Sequence, residues 1–178
     1  MGKFRLGSLL LIVFILNGGA LADTFQTGPV FESWGRHAPV PGVSLDKSAR
    51  FAVVFDMAEA AHDGKVDRRI DSLARFINMH MANGVEQKNI RLALVVHGGA
   101  TLEMLSNGHY KDRLGKDNAN IALLSALMNQ HVRVIVCGQS AAAHKVSAQM
   151  LIPGVEMALS AMTAHAQLQQ QGYTVNPF

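Results

Sequence analysis

The stretch that decides the fold is VRVIVCGQSAAAH, residues 132–144. Residues 132–136 are apolar except for Arg133, which is typical of a buried strand, and the small residues from Ser140 onward predict a helix. Cys137, the only cysteine of the chain, therefore lies in the turn between a strand and a helix. A strand that leads directly into a helix is typical of α/β domains.

Two more apolar runs have the same character, RFAVVF at residues 50–55 and IRLALVV at residues 90–96. Between them, apolar residues at a spacing near 3.6 predict an amphipathic helix over 66–82, ended by Asn83 and Gly84. Nearly continuous apolar strands that alternate with helices indicate a mostly parallel central sheet with helices on both faces. We therefore predict one α/β domain over residues 50–178.

The remaining elements are shorter. Asp117 or Asn118 is expected to cap the helix that precedes the third strand. In the last helix, four apolar residues are predicted to face the core: Val155, Leu159, Met162 and Ala166. The predicted helices cover residues 100–107, 118–130, 140–148 and 155–171, and a short strand is predicted at 173–178.

Residues 1–22 have the three parts of a secretory signal peptide. Lys3 and Arg5 precede an apolar run at 9–16, and the small-residue site that follows predicts cleavage after Ala22. The alternative is a membrane anchor, which needs about 20 apolar residues, and this run is shorter. We expect a periplasmic or secreted protein with no stable membrane span after cleavage.

Residues 23–49 contain prolines and several glycines and have no sustained periodicity. They predict an extended N-terminal arm that packs either on its own domain or on a neighbouring subunit. The formal charge of +3 includes the two cations of the signal segment, so the rest of the chain carries about +1. No basic face interleaved with aromatic residues stands out, which argues against a nucleic-acid partner.

The sequence has no motif typical of a cofactor or a metal. It lacks a phosphate-binding glycine motif of the Walker or dinucleotide type. One cysteine cannot form a thiolate-rich zinc site, and the histidines other than His97 show no metal-ligand spacing. We predict neither a cofactor nor a metal, and we expect those histidines to be surface or capping groups.

Ligands of parallel α/β sheets bind outside the carboxyl ends of the strands. Two turns lie at that edge if the second and third strands are neighbours, and they supply the predicted ligand-binding residues: His97, Gly98, Gly99, Gly138, Gln139 and Ser140. Gly138 lets the chain bend, while Gln139 and Ser140 can donate hydrogen bonds to an anion or cap the helix. His97 is either an acid or base beside the thiol or a structural histidine.

Cys137 is the candidate nucleophile. A thiol at a helix N-terminus can have its pKa lowered from about 8.5 to roughly 3.5–7.5, and the thiolate is the reactive form. The alternative is an inert buried thiol, because free cysteine is among the most buried residue types. The position in the turn favours the reactive group.

Several segments together resemble one known family, the DsrE/DsrF-like family, over roughly residues 50–178. The resemblance rests on Asn120, a closing Phe178 and three runs: VVHGGATLEML, VRVIVCGQSAAAH and LIPGVEMALSAMTAHAQLQQQGY. It implies a small three-layer α/β domain that assembles into trimers or hexamers, with a link to sulfur metabolism. In some members a cysteine holds a persulfide, and Cys137 is the only residue of this chain that could accept the sulfur.

The leading hypothesis is an exported sulfur carrier or sulfurtransferase in which the Cys137 thiolate attacks a sulfane-sulfur donor, carries the terminal sulfur and yields it to an acceptor thiol by exchange. A second hypothesis is a non-catalytic oligomeric protein that binds a small ligand at the same edge. A third is a disulfide between subunits at Cys137. Phe76 and Met79 widen the apolar face of their helix, which indicates either a subunit interface or a broader buried face.

Overall fold

The computed structural model describes residues 24–60 and 64–176, so the predicted signal peptide lies outside the described residues. Five parallel strands form one sheet in the order β4-β3-β2-β1-β5. The strands are β1 Phe51–Met57, β2 Ile90–Val96, β3 Arg133–Cys137, β4 Glu156–Ala158 and β5 Thr174–Asn176. The helices are α1 Arg68–Ala82, α2 Asn107–Leu114, α3 Ile121–Asn129, α4 Gly138–Ala143 and α5 Ala161–Gln170.

Helices cover both faces of the sheet, which confirms the predicted α/β class. On one face, all four helices from α1 to α4 contribute to a large core: Ile70, Tyr110, Leu124 and Ala141 are examples. On the other face, Ala164 and Leu168 of α5 pack on Val54, Val95 and Ile135. The central strands are mostly apolar because both of their faces are buried, and Arg91 and Arg133 lie near the starts of β2 and β3, where burial is incomplete.

Helix α1 follows the predicted pattern closely. Asp67 caps its start, where the carboxylate accepts a hydrogen bond from the Arg69 amide at 2.7 Å. Ile70, Leu73 and Ile77 are buried against the sheet. The helix begins two residues later than predicted, because Asp67 has the extended backbone of a capping residue rather than a helical one.

The N-terminal arm packs on its own domain, which is one of the two predicted outcomes. The amide of Asn78, fully buried on α1, accepts hydrogen bonds from the backbone of Val30 (3.0 Å) and Phe31 (2.9 Å) and donates to the Phe31 carbonyl (2.9 Å). The Gly35 amide donates to Asp71 at 2.8 Å. Buried backbone groups need such partners, so Asn78 fixes the path of the arm.

The segment between β2 and α3 differs from the prediction. A 3₁₀ segment, Gly98–Met104, takes the place of the helix expected at 100–107, and α2 then begins at Asn107, where a helix end was predicted. Asn107 is held by side-chain bonds, accepting from the Asn118 amide at 2.9 Å. Neither Asp117 nor Asn118 caps α3, which begins after Asn120.

The prediction of a last helix over residues 155–171 is wrong over the first third of that range. Glu156–Ala158 is instead an edge strand that pairs with β3, and α5 begins after Ser160, whose hydroxyl accepts from the Thr163 amide at 3.0 Å. This turn changes the buried face, so Leu159 and Met162 are 73% and 79% exposed while Ala164 and Leu168 are buried. The helix predicted at 140–148 also ends early, at Ala143.

No helix within residues 24–60 and 64–176 has the length and apolar character needed to cross a membrane.

Candidate functional site

The carboxyl ends of the three central strands meet at one cavity of about 310 Å³. Asp56 comes from β1, His97 follows β2, and Cys137 ends β3. The start of α5 closes the other side with Ser160, Ala161, Met162 and His165. The predicted proximity of the His97 and Cys137 turns is therefore found in the fold, since β2 and β3 are neighbours.

Cys137 is both the last residue of β3 and the residue that caps α4. Its sulfur accepts a hydrogen bond from the Ser140 amide at 3.5 Å, and the residue is 6% exposed. Burial raises the pKa of the Cys137 thiol, but hydrogen bonds from the Ser140 hydroxyl and from the amides of Ser140, Ala161 and Gln139 outweigh burial. The net result is a lowered pKa, which favours the thiolate.

Those amides belong to the first turns of two helices, α4 and α5. Ala161 is the first residue of α5, so the second helix contributes a donor that the local sequence around Cys137 does not contain. Unpaired amides at a helix start favour a negative charge nearby. The sulfur site thus depends on a contact between segments more than twenty residues apart.

Ser140 connects the two predicted turns. Its hydroxyl accepts a hydrogen bond from the Gly98 amide at 3.0 Å, and the His144 ring donates to the Gly98 carbonyl at 3.0 Å. Gly98 has a φ of +54°, and a side chain there would meet the Ala58 carbonyl oxygen at 2.7 Å. The glycine and the two polar side chains together fix the loop that follows β2.

The predicted residues therefore separate into two groups. His97, Cys137, Gln139 and Ser140 line the cavity, whereas Gly98, Gly99 and Gly138 shape the surrounding backbone. A Cβ atom at Gly138 would lie 2.6 Å from the Ala158 carbonyl oxygen, so that glycine allows β4 to approach closely. The Gln139 side chain donates to the Leu159 carbonyl at 3.2 Å, and its backbone amide is the donor that faces the sulfur.

Asp56 lies between two histidines across the cavity. Its two carboxylate oxygens accept from different rings, Oδ2 from Nε2 of His97 at 3.0 Å and Oδ1 from Nε2 of His165 at 2.6 Å. Partial burial raises the pKa of Asp56, but the hydrogen bonds and charges of His165 and His97 outweigh burial and lower the pKa. The carboxylate is therefore ionised at neutral pH.

Sequence reasoning missed Asp56 and His165, and it also missed Ser160, Ala161 and Met162. Asp56 could have been found, because it directly follows the strand predicted to end at Phe55 and so falls at the same sheet edge. His165 was expected to be a surface or capping group. Its position in the site follows from the observed start of α5, which places Ala161 and His165 one turn apart on the same face of the helix.

The arrangement combines a nucleophile, hydrogen-bond donors for an anion and a group able to move protons. Within residues 24–60 and 64–176, no set of three or more histidine, cysteine, aspartate or glutamate side chains is arranged to hold a metal ion. Nucleophilic exchange at sulfur is the reaction that a thiolate in such surroundings is suited to perform.

The family of the chain follows from the comparison with protein-family models. The model of the DsrE/DsrF-like family matches residues 49–177, which include every strand and helix described above. The chain belongs to the DsrE/DsrF-like family. The match also spans the four titratable residues that line the cavity in the described part of the chain: Asp56, His97, Cys137 and His165.

Solved structures show that the DsrE/DsrF-like domain of this chain has a fold seen before. It is similar to MTH1491, a protein of unknown function from Methanobacterium thermoautotrophicum, with a TM-score of 0.53, 19% identity, and coverage of 71% of this chain and 97% of that one. It is also similar to the ychN protein from E. coli, with a TM-score of 0.51, 20% identity, and coverage of 71% and 99%. The search of curated proteins gave no significant match.

Proposed function

We propose that this DsrE/DsrF-like protein is a periplasmic sulfur carrier or sulfurtransferase that holds a persulfide on Cys137. The observation that carries the proposal is the surroundings of the sulfur, which lies beside a cavity and accepts a hydrogen bond from the Ser140 amide at 3.5 Å. The Ser140 hydroxyl and the amides of Gln139 and Ala161 also act to lower the pKa of the thiol. A structural thiol has no need for donors that stabilise its anion. The family link to sulfur metabolism and the predicted signal peptide supply the rest of the proposal.

The proposed reaction is thiol exchange at a sulfane sulfur. The Cys137 thiolate attacks the outer sulfur of a donor, one sulfur–sulfur bond forms as another breaks, and no external oxidant is required. The donors around the sulfur then stabilise the persulfide anion as they do the thiolate. An acceptor thiolate attacks the bound outer sulfur in turn and regenerates Cys137.

The proposal includes a homo-oligomer, a trimer or a hexamer, as the family resemblance implies. Phe76 gives no support for an interface, because its ring packs edge-on against Phe51 at 5.7 Å and Phe55 at 6.1 Å within the chain. Leu159 and Met162 are the exposed apolar residues beside the cavity, and they are a surface that a partner protein or a second copy could cover. Mass photometry measures the assembly directly.

A second candidate function is the binding of a small ligand without catalysis. The size of the cavity and its exposed Met162 side chain favour it, because a single sulfur atom needs far less room. The two functions differ in their dependence on the thiol. A Cys137→Ser variant retains ligand binding if the second function is correct, and it loses all sulfur transfer if the first is correct.

Sulfur loading is the test of the proposal. The protein is incubated with polysulfide or thiosulfate, and its intact mass is measured before and after treatment with a reductant. We expect an adduct of one sulfur atom that the reductant removes and that Cys137→Ser does not form. Because the chain has no other cysteine, the adduct reports Cys137 alone. Absence of the adduct, under conditions that load an established sulfur carrier, refutes the proposal.

A further inference from the structure

The carboxylate of Asp56 fixes which ring nitrogens of two histidines can move a proton. An ionised carboxylate only accepts hydrogen bonds, so Nε2 of both His97 and His165 carries a hydrogen. Nδ1 is then the nitrogen of each ring that Asp56 does not engage. In His165 this atom is buried and has no hydrogen-bond partner among the described residues, whereas the His97 side chain is 32% exposed. One ring is thus sheltered and the other is open to solvent.

The charges that line the cavity are unusual for a site that would bind a small dianion. Among residues 24–60 and 64–176, the residues that line the cavity include one aspartate and two histidines but no lysine or arginine. Ala161 and Met162 add apolar surface at the start of α5, and Met162 is 79% exposed. A dianion such as thiosulfate meets no fixed positive charge here, while an apolar organic group can be partly buried.

Resting on the sulfur-carrier function proposed above, we propose that the Asp56, His97 and His165 cluster donates the proton to the departing thiolate during sulfur loading. Its natural donors are low-molecular-weight organic persulfides rather than thiosulfate. Asp56 is a positioning residue, because it acts through the two rings. An alkyl thiolate is a basic leaving group that benefits from a proton, whereas sulfite leaves readily without one.

The proposed step is balanced without a further reagent. The Cys137 thiolate attacks the outer sulfur of R–S–SH, and the bond between the two donor sulfurs breaks, its electron pair staying with R–S⁻. The protonated ring of His97, whose side chain is 32% exposed, gives its proton to R–S⁻, which leaves as R–SH, while His165, with its Nδ1 buried, helps to hold Asp56 in place. The new Cys137 hydropersulfide then returns its more acidic proton to the ring. The number of sulfur–sulfur bonds is unchanged, so nothing is oxidised or reduced overall.

The test compares two donors in three proteins: the wild type, Asp56→Asn, and the control Asp112→Asn, which makes the same change at an exposed position on α2. Loading of Cys137 by an alkyl persulfide and by thiosulfate is followed by intact mass over time. We expect the wild type to load faster with the persulfide. In D56N the ratio of persulfide rate to thiosulfate rate is expected to fall by at least about tenfold, since acid–base groups contribute roughly 10²–10⁴-fold. D112N retains the wild-type ratio.

The second readout is the dependence of the loading rate on the acidity of the leaving thiol, which would not change if Asp56 had only a structural role. With a series of persulfides whose leaving thiols differ in acidity, the wild-type rate is expected to depend weakly on that acidity, and the D56N rate strongly. In the part of the chain that the structure describes, the titratable groups that line the cavity are Asp56, His97, His165 and Cys137. If D56N does not fold, as judged by circular dichroism, His97→Gln carries the same prediction.

The outcomes separate this proposal from the sulfur-carrier function itself. Equal losses with both donors, or an unchanged ratio in D56N, refute the proton-donating cluster while sulfur carriage stands. Faster loading of the wild type by thiosulfate refutes the donor class. Failure of the wild type to load with either donor refutes the sulfur-carrier function.

Discussion

Replacement of Ser140 by alanine tests whether hydrogen bonds, and not burial, set the state of Cys137. The Ser140 hydroxyl donates to the sulfur, and its oxygen accepts from the Gly98 amide. A hydrogen bond to a charged group contributes about 1.5–3 kcal/mol. One pKa unit corresponds to about 1.4 kcal/mol. The amides of Ser140, Ala161 and Gln139 remain, so we expect Ser140→Ala to raise the pKa of Cys137 and to slow its alkylation below that pKa by at least about tenfold.

The assay alkylates the only cysteine with iodoacetamide and measures the rate by intact mass as a function of pH. The thiolate is the reactive form, so the midpoint of the rate profile reports the pKa. Ser44→Ala is the matched control, because Ser44 is exposed in the arm and remote from the site in sequence. A midpoint that is unchanged or lower in S140A refutes the hydrogen-bond explanation, since burial alone raises the pKa.

Three further predictions concern the fold and the charges around the site. Leu168 is buried and Leu159 is exposed. In urea unfolding, Leu168→Ala should therefore destabilise the protein by about 2–5 kcal/mol, whereas Leu159→Ala should change stability by less than about 0.5 kcal/mol. Similar losses in the two variants would contradict the buried face of α5. Asn78→Ala should lower the free energy of unfolding by about 2–4 kcal/mol, because it leaves buried backbone groups of the arm unpaired. Asn129→Ala, at an exposed position, is the control. Equal stability of the two variants would show that Asn78 does not hold the arm. Asp56 has a lowered pKa, so its stabilising contribution is present above the unfolded pKa of about 3.9 and is lost as the pH falls through the lower folded value. The difference in unfolding free energy between wild type and D56N should therefore shrink over that acidic range. A difference that grows there would contradict the lowered pKa of Asp56.

The central strands and α1 could be predicted because each has its own local pattern. The runs at 90–96 and 132–136 are apolar except for Arg91 and Arg133, and most residues of their strands are buried. The rule that ligands gather at the carboxyl ends of parallel strands then predicted that His97 and Cys137 meet if β2 and β3 are neighbours. The pairing of β2 with β3 meets that condition.

The rest depended on contacts between distant segments. Three residues of β4 carry no pattern of their own, and they form a strand only because they pair with β3. That pairing moves the start of α5 to Ala161, which shifts its buried face and places His165 beside Asp56. The site residues that α5 contributes could therefore not be predicted from the sequence. Asp56 could have been predicted, because it directly follows a predicted strand.

The most direct test of the central claim is the intact mass of the protein as isolated, with and without reductant. If Cys137 carries sulfur, a fraction of the protein is heavier by one sulfur atom, the reductant removes this mass, and Cys137→Ser never shows it. A single unmodified mass in every sample, including protein incubated with an alkyl persulfide, would contradict sulfur carriage by this site.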